Sequence, residues 1–277
     1  MDYKTLLVHV GTDPAAEARL RLAIDLARAA NAHVVGSAVT GVSHFVTAGM
    51  LAAGDSRLAE RCAALRCDAA AALQRFEAIV RTEGLASFES RLVDDDVDGG
   101  MALQARYCDL AVVGQADPAA PGPDRRSDLP EYLLLASGRP VLVVPYASGA
   151  WRLDGEALVA WDGSPEATRA VTAALPLLRA ARGTSVIGFG DGAGEAPDGN
   201  PCARLAAWLA RHGIAARASQ RAATGDVGEA LLSAAADMDA GLLVMGGYGH
   251  ARYRELVLGG VTATILRAMT LPVLLAH

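Results

Sequence analysis

Lysine is almost missing from this sequence of 277 residues. Of 25 lysine and arginine residues, only Lys4 is a lysine. A Walker A loop, a Schiff-base enzyme and a kinase-type phosphate site each need a lysine in the site. Lys4 lies at the start of the first predicted strand, at the end opposite the cleft of an α/β domain. The composition therefore argues against these three classes of protein.

Long apolar runs and aromatic residues are also scarce. Aromatic residues make up 5% of the chain, and no stretch approaches the 18 uninterrupted apolar residues of a membrane span. The first residues, Met-Asp-Tyr-Lys, lack the basic and apolar regions of a signal peptide. A formal charge of −6 argues against a wide nucleic-acid surface. We therefore expect a soluble cytoplasmic protein that binds neither nucleic acid nor a membrane.

The four cysteines form no recognisable motif. They show neither C-x-x-C spacing nor a grouping with histidine, and they are Cys62, Cys67, Cys108 and Cys202. This predicts reduced thiols in a reducing compartment and no metal site. No Ser-His-Asp or Cys-His arrangement is discernible either, so the sequence offers no support for an enzyme.

The chain contains an internal repeat. Two pairs of segments match at a spacing of 132 residues, Asp109–Gly114 with Gly241–Gly246 and Arg139–Pro145 with Leu271–His277. The starts of the two copies match at a spacing of 151 residues. The first copy therefore carries about 19 extra residues between positions 40 and 61. We call the two copies the first repeat (predicted domain 1–148) and the second repeat (predicted domain 154–277).

Each repeat alternates short β-branched runs with longer alanine-rich segments. This pattern predicts an α/β fold, with an open parallel sheet of five strands covered by helices on both faces. The predicted strands are 4–10, 33–40, 88–93, 109–113 and 141–145 in the first repeat, and 157–161, 184–190, 215–221, 241–245 and 272–276 in the second.

Three helices begin with a capping signal. Asp13 and Ser164 each precede a proline, the combination typical of an N-cap followed by proline at the first helical position. The residues Asp128-Leu-Pro-Glu131 have the pattern of a capping box. We therefore expect Asp13, Ser164 and Asp128 to accept hydrogen bonds from first-turn amides.

The loop after the fourth strand of the second repeat is rich in glycine. Glycine lets successive backbone N–H groups approach a phosphate and permits positive φ. The helix that follows offers first-turn amides and a dipole that favour an anion. The predicted phosphate site consists of Gly246, Gly249, Gly259, Gly260, Val261 and Thr262. The alternative is that these glycines only form a tight strand exit.

The same loop of the first repeat has lost these features. At the spacing of 132 residues, Gly249, Gly259, Gly260 and Thr262 correspond to Asp117, Ser127, Asp128 and Pro130. Two carboxylates then stand where phosphate oxygens would have to lie. We therefore expect only the second repeat to bind a phosphate.

The loop after the first strand agrees with this asymmetry. Asp162 and Gly163 follow the first strand of the second repeat, where a carboxylate can accept hydrogen bonds from a sugar or a base edge. The counterpart of Asp162 in the first repeat is Gly11. The alternative for Asp162 is a turn residue in Asp-Gly-Ser-Pro.

These residues resemble the universal stress protein family in its tandem form. The family signature is Gly, two residues, Gly, nine residues, Gly and then Ser or Thr. Gly246, Gly249 and Gly259 match its spacing, Gly260 replaces the Ser or Thr, and Thr262 matches a second hydroxyl position. The resemblance extends to Asp162, to Gly225-Asp226 and to the fourth strand. The resemblance covers the whole chain. It is strong in the second repeat, whereas in the first repeat only the strand and helix framework matches.

The resemblance implies a Rossmann-like fold related to adenine nucleotide alpha hydrolases, with the last strands of the two repeats paired in an internal pseudo-dimer. It also implies that the second repeat binds ATP and that any Mg²⁺ arrives with the nucleotide. Some family members, however, bind no nucleotide. Asp162 then contacts the ribose or base, and adenine lies near the backbone of 188–199. Two alternatives stay open: a nucleotide-independent interaction protein and a slow nucleotide hydrolase.

Some features leave several interpretations open. His250 can contact phosphates or be solvated, and a homodimer of the chain is possible. The apolar insertion at 41–54 can be a lid, a ligand pocket or padding between the repeats. The acidic run at 94–98 is typical of a solvated segment that caps a helix rather than of a metal site.

Overall fold

The structure is a computed structural model that describes residues 3–43, 46, 49, 56–117, 128–147, 155–190, 200–222, 225–249 and 260–277. The chain divides into two compact units, Asp2–Val141 and Leu142–His277. The predicted linker between the repeats and most of the 41–54 insertion lie outside the described residues, so the predicted domain boundary stays a prediction.

The N-terminal unit contains a parallel sheet in the order β3-β2-β1-β4. Its strands are β1 (Thr5–His9), β2 (His33–Val39), β3 (Phe88–Val93) and β4 (Leu110–Gly114). Its helices are α1 (Ala16–Ala30), α2 (Ser56–Thr82), α3 (Val97–Ala105) and α4 (Leu129–Ala136). The next strand, β5 (Val141–Val144), falls at the division between the units.

The C-terminal unit contains a parallel sheet with the same topology, in the order β10-β9-β6-β7-β8. Its strands are β6 (Glu156–Ala160), β7 (Gly183–Gly190), β8 (Ala216–Ala222), β9 (Ala240–Gly246) and β10 (Val273–Ala276). Its helices are α5 (Pro165–Ala180), α6 (Pro201–Arg211), α7 (Val227–Asp237) and α8 (Val261–Ala268).

The central strands are buried because helices cover both faces of each sheet. The interior of β1 and of β9 consists of fully or nearly fully buried aliphatic residues. The predicted α/β fold, with five strands in each repeat, is confirmed, and every predicted strand end lies within one residue of the observed one. None of the helices in the described part of the chain is long and apolar enough to cross a membrane.

One of the three predicted helix caps is present. Ser164 caps α5, because its hydroxyl accepts a hydrogen bond of 3.1 Å from the backbone N–H of Ala167. The prediction for Asp13 was wrong, since its carboxylate pairs with Arg19 and α1 begins only at Ala16. The capping box at Asp128 was wrong too, because its backbone leaves the extended conformation of an N-cap and its side chain makes no cap hydrogen bond.

Candidate functional site

The strand order of the second repeat reverses between β6 and β9. These strands are parallel neighbours, with Val159 beside Val244. Their carboxyl ends, Ala160 and Gly246, therefore lie at the same edge of the sheet. Loops that follow adjacent strands on either side of such a switch point form the ligand cleft of doubly wound folds. This edge brings together the two loops that the sequence analysis singled out.

Gly246 is required by a close approach of the backbone. A Cβ at this position would lie 2.5 Å from the backbone nitrogen of Ala167, in the first turn of α5. No real Cβ tolerates that distance, so any larger residue would push α5 away from β9. Gly246 thus joins the loop after the fourth strand to the helix after the first strand.

A left-handed residue starts the glycine loop. Tyr248 has φ of 55°, a conformation that residues other than glycine rarely adopt. Its backbone N–H donates a hydrogen bond of 3.3 Å to the hydroxyl of Thr262, which is buried in the first turn of α8. Rare backbone conformations persist where the surroundings impose them, often at ligand sites. The Thr262 hydroxyl therefore holds the start of the loop at Tyr248.

Among the described residues, no side chain caps the N-terminus of α8. Gly260 is the N-cap residue in an extended conformation, and its carbonyl accepts the hydrogen bond of Thr264 N–H at 3.0 Å. A Cβ on Gly260 would meet no described atom within 4 Å. The first-turn amides of a helix carry partial positive charge and favour an anion. An accessible, uncapped helix start thus lies beside the Tyr248–Thr262 contact.

Asp162 lies at the exposed rim of this edge. Its Oδ1 accepts a hydrogen bond of 2.9 Å from the N–H of Ser164, so the predicted turn role is real. Gly163 has φ of +76° with open space around it, which explains the glycine. The exposed carboxylate can also accept hydrogen bonds from a ligand, and the two roles are compatible.

The sequence analysis missed Glu166. Its carboxylate is only 14% exposed and pairs with Arg169 at 2.7 Å. A Cβ on Gly249 would lie 2.8 Å from Glu166 Oε2, so this acid borders the glycine loop. The only signal in the sequence is an acidic residue in a first helical turn, which is common at helix starts. The carboxylate makes the loop less attractive to an anion.

Asp226 supports α8 from a neighbouring helix. Its carboxylate caps α7 through the N–H groups of Gly228 and Glu229 and accepts a hydrogen bond of 3.1 Å from Thr264. The Glu229 N–H, followed by the Thr264 and Gly228 donors, lowers the pKa of Asp226. The Gly-Asp segment of the family resemblance therefore serves as scaffold. It holds the first turns of α7 and α8 together.

A groove opens beside the Asp162 loop. It has a volume of about 370 Å³ and a mostly apolar lining that includes Trp161, Gly163, Val171, Leu205 and Trp208. Trp161 directly precedes Asp162 in sequence. Its indole fluorescence will therefore report a ligand at this end of the site.

Some predicted contacts lie beyond the described residues. These are His250, Gly259 and 191–199, the greater part of the segment expected near adenine. At the start of that segment, a Cβ on Gly188 would lie 2.7 Å from the sulfur of Cys202 and 3.1 Å from the carbonyl oxygen of Trp161. The remaining predicted site residues, Asp162, Gly163, Gly246, Gly249, Gly260, Val261 and Thr262, are described, and they lie on the two loops and the start of α8.

The corresponding part of the first repeat is acidic. Burial, then the carboxylates of Asp96 and Asp128, raise the pKa of Asp98. Burial, then Asp128 and Asp98, raise the pKa of Glu131. These four acids lie at the N-cap or in the first turn of α3 and α4, so the starts of both helices carry negative charge. An anion would be repelled from this position.

The acidic run before α3 serves local structure. The carboxylate of Asp96 caps α3 by accepting the Gly99 N–H at 2.7 Å, and Asp94 forms an ion pair with Arg66. The predicted helix-capping role is therefore confirmed. Among the described residues, no group of three or more His, Cys, Asp or Glu side chains is arranged to hold a metal ion.

Comparison with known proteins gives a family match over part of the chain and a match in fold. Residues 201–277 match the model of the universal stress protein family, which covers the glycine loop but not Asp162. A comparison with curated proteins gives no match. The family resemblance read from the sequence is confirmed for the matched segment.

Solved structures of similar size share the fold. A universal stress protein from Archaeoglobus fulgidus DSM 4304 is 15% identical, with 98% of this chain and 97% of that chain covered and a TM-score of 0.71. A functionally unknown protein from Pseudomonas aeruginosa PAO1 is 16% identical, with 99% and 92% covered and a TM-score of 0.64. Both matches span the two repeats, which confirms the tandem fold.

Proposed function

We propose that this chain, with the tandem fold of a universal stress protein and a match to that family over residues 201–277, binds an adenine nucleotide in its second repeat. The nucleotide would be a sensing or regulatory ligand in a stress response. ATP is the form that we propose, with any Mg²⁺ arriving on the nucleotide. The four free cysteines favour a reducing compartment such as the cytoplasm.

One observation carries the proposal: α8 starts at Gly260 without a side-chain cap from the described residues, beside the left-handed residue Tyr248, whose N–H is bonded to Thr262. Backbone N–H groups of this kind bind phosphate without any lysine, which suits a chain with a single lysine. We assign the phosphates to Gly246, Gly249, Gly259, Gly260, Val261 and Thr262. The exposed carboxylate of Asp162 is assigned to the ribose or the base.

A second function has support of its own. Glu166 places a carboxylate beside Gly249, and Gly260 lacks the hydroxyl of the family signature. Both features weaken an anion site. They favour an interaction protein that acts without a nucleotide. Either function is compatible with an internal pseudo-dimer, in which β5 pairs with β10, and with a homodimer of the chain. Both pairings are proposals.

Released ligand is the first test. Purified protein is denatured, and the supernatant is analysed for adenine nucleotides by mass spectrometry. ATP, ADP and AMP are then titrated into refolded or nucleotide-free protein, with the fluorescence of Trp161 and Trp208 as the signal. We expect one site per chain.

The matched variants are Gly249→Asp and Gly49→Asp. The first copies the change found in the first repeat and should abolish binding, because it adds a charge and a side chain to the loop beside Glu166. The second adds the same charge at an exposed glycine whose Cβ position has no described atom within 4 Å, and should leave binding intact. Equal nucleotide affinity in all three folded proteins would reject the site. Wild-type protein that binds no nucleotide would favour the interaction protein.

A further inference from the structure

The first repeat holds a buried cation in its cleft. The side chain of Arg19 is 2% exposed, although arginine is almost never buried without a partner. Its Nε donates to the carbonyl oxygen of His9 at 2.9 Å, and its Nη2 donates to Asp13 at 2.7 Å. Arg19 Nη1 makes a longer bond of 3.3 Å to the other oxygen of Asp13. The guanidinium is therefore fixed by its neighbours.

This cation lies over the ends of two adjacent strands. A Cβ on Gly114, the last residue of β4, would collide with Arg19 Nη1. A Cβ on Gly11, just after β1, would lie 2.6 Å from Asp13 Oδ2 and 3.3 Å from Arg19 Nη2. Both glycines are thus needed to leave room for the ion pair. Since β1 and β4 flank the switch point, the pair fills the cleft where this fold binds ligands.

The second repeat lacks the ion pair. At the spacing of 151 residues, Asp13 and Arg19 correspond to Ser164 and Ala170. Ser164 caps α5, and α5 accordingly begins at the proline that follows it. In the first repeat Asp13 is held by Arg19 and does not cap, so α1 begins two residues later in the repeat. The exchange of two residues therefore changes both the cleft and the helix start.

The electrostatics of the pair are consistent with a permanent contact. Burial raises the pKa of Asp13, but the charge and the hydrogen bonds of Arg19 outweigh it and lower that pKa below its ordinary value. Burial and the charge of Arg19 lower the pKa of His9 to about 3. At neutral pH the cluster thus contains one cation, one anion and a neutral imidazole. The net charge of the cluster is therefore zero, so it does not attract a phosphate.

We propose that Arg19 is a specificity-determining residue that occupies the ligand cleft of the first repeat and restricts adenosine binding to the second. This inference rests on the proposed function, but it adds a determinant other than the lost glycine loop. The loop carboxylates repel phosphates, whereas Arg19 and Asp13 fill the space of the nucleoside. The first repeat would then stay closed even to a ligand without phosphate.

The binding test uses adenosine, which has no phosphate for the acidic loop to repel. The variant Gly11→Asp/Asp13→Ser/Arg19→Ala gives the first repeat the residues of the second. Its control, Gly11→Asp/Asp13→Ser, retains Arg19. Native mass spectrometry counts the bound adenosine molecules in each folded protein. We expect one per chain in the wild type, one in the control and two in the triple variant.

The reciprocal variant Ser164→Asp/Ala170→Arg transfers the ion pair to the second repeat, where we expect the count to fall from one to zero. A triple variant that is folded and still binds one adenosine would overturn the role of Arg19. If the wild type binds none and the triple variant binds one, Arg19 is upheld while the proposed function of the second repeat fails. The two ideas are therefore separable.

A test without any ligand covers variants that fold poorly. Gly114→Ala should lower the melting temperature in the wild type, because its Cβ collides with Arg19. In an Arg19→Ala background the same change should cost much less, because the colliding atoms are gone. An equal loss of melting temperature in both backgrounds would show that Arg19 does not occupy this space.

Discussion

The backbone N–H of Tyr248 donates a hydrogen bond to the hydroxyl of Thr262, so the start of the glycine loop is tied to the first turn of α8. The two residues are 14 positions apart, and Tyr248 is in the left-handed region. A single hydroxyl thus joins the two segments that carry most of the amides that we assign to phosphate.

Removing that hydroxyl tests the contact. Thr262→Val keeps the shape of the side chain but leaves the Tyr248 N–H without its acceptor. We expect a loss of about 1 kcal/mol in the free energy of unfolding and weaker nucleotide binding. Urea denaturation and fluorescence titration measure the two effects. For stability, the control Thr172→Val removes an exposed hydroxyl that donates to the Thr168 carbonyl within α5, and a loss of unfolding free energy as large in the control would contradict the special role of Thr262.

Restoring the family signature should strengthen binding. Gly260 is extended and has open space at its Cβ position, so Gly260→Ser introduces no clash. The new hydroxyl adds one hydrogen bond to a phosphate, which corresponds to about 1 kcal/mol or roughly a five-fold gain in ATP affinity. Gly260→Ala is the matched control, because it adds the Cβ without the hydroxyl. An equal gain in affinity with Gly260→Ala would show that the hydroxyl is not the cause.

Glu166 should oppose anion binding. Its largely buried carboxylate borders Gly249, so Glu166→Gln removes a negative charge next to the proposed phosphates. We expect a few-fold higher affinity for nucleotide in the presence of EDTA, with an effect that shrinks as salt is added. The control Glu17→Gln breaks a similar but exposed ion pair with Arg21 on α1 and should leave affinity unchanged. A weaker affinity in Glu166→Gln would show that the acid contributes to binding.

The raised pKa of Glu131 should make the stability of the protein depend on pH. Burial, then Asp128 and Asp98, raise its pKa above the value in the unfolded chain. The folded state therefore holds the proton more tightly, and this stabilisation is present at low pH and is lost as the pH rises through the folded pKa. At pH 7 Glu131→Gln should raise the melting temperature, because it removes a buried charge among like charges.

The same substitution should bring a smaller gain near pH 4, where Glu131 is largely protonated. Thermal unfolding at both pH values, followed by circular dichroism, checks this difference. Glu229→Gln is the control. Glu229 occupies the equivalent first turn of α7, where the N-cap residue is Asp226. A gain in Glu131→Gln that does not depend on pH would point to packing rather than charge.

The sequence by itself determined the architecture, because the period of the apolar residues is a local property of the chain. The alternation of β-branched and alanine-rich segments located all ten strands, and the repeat spacing showed that β4 and β9 are equivalent. The spacing of the glycines also predicted which loop lies at the cleft, since the ends of parallel strands meet at one edge.

The tertiary structure alone decided which side chains share the cleft. Asp13 precedes a proline, a pattern that predicts a helix cap. The buried charge of Arg19 needs a carboxylate partner, however, so Asp13 pairs with Arg19 and does not cap α1. Glu166 reads as an ordinary first-turn acid, and only the approach of α5 to β9 places it beside Gly249. Local patterns carry no information on the long-range contacts that desolvate a charge, and desolvation decides which partner a charged side chain must take.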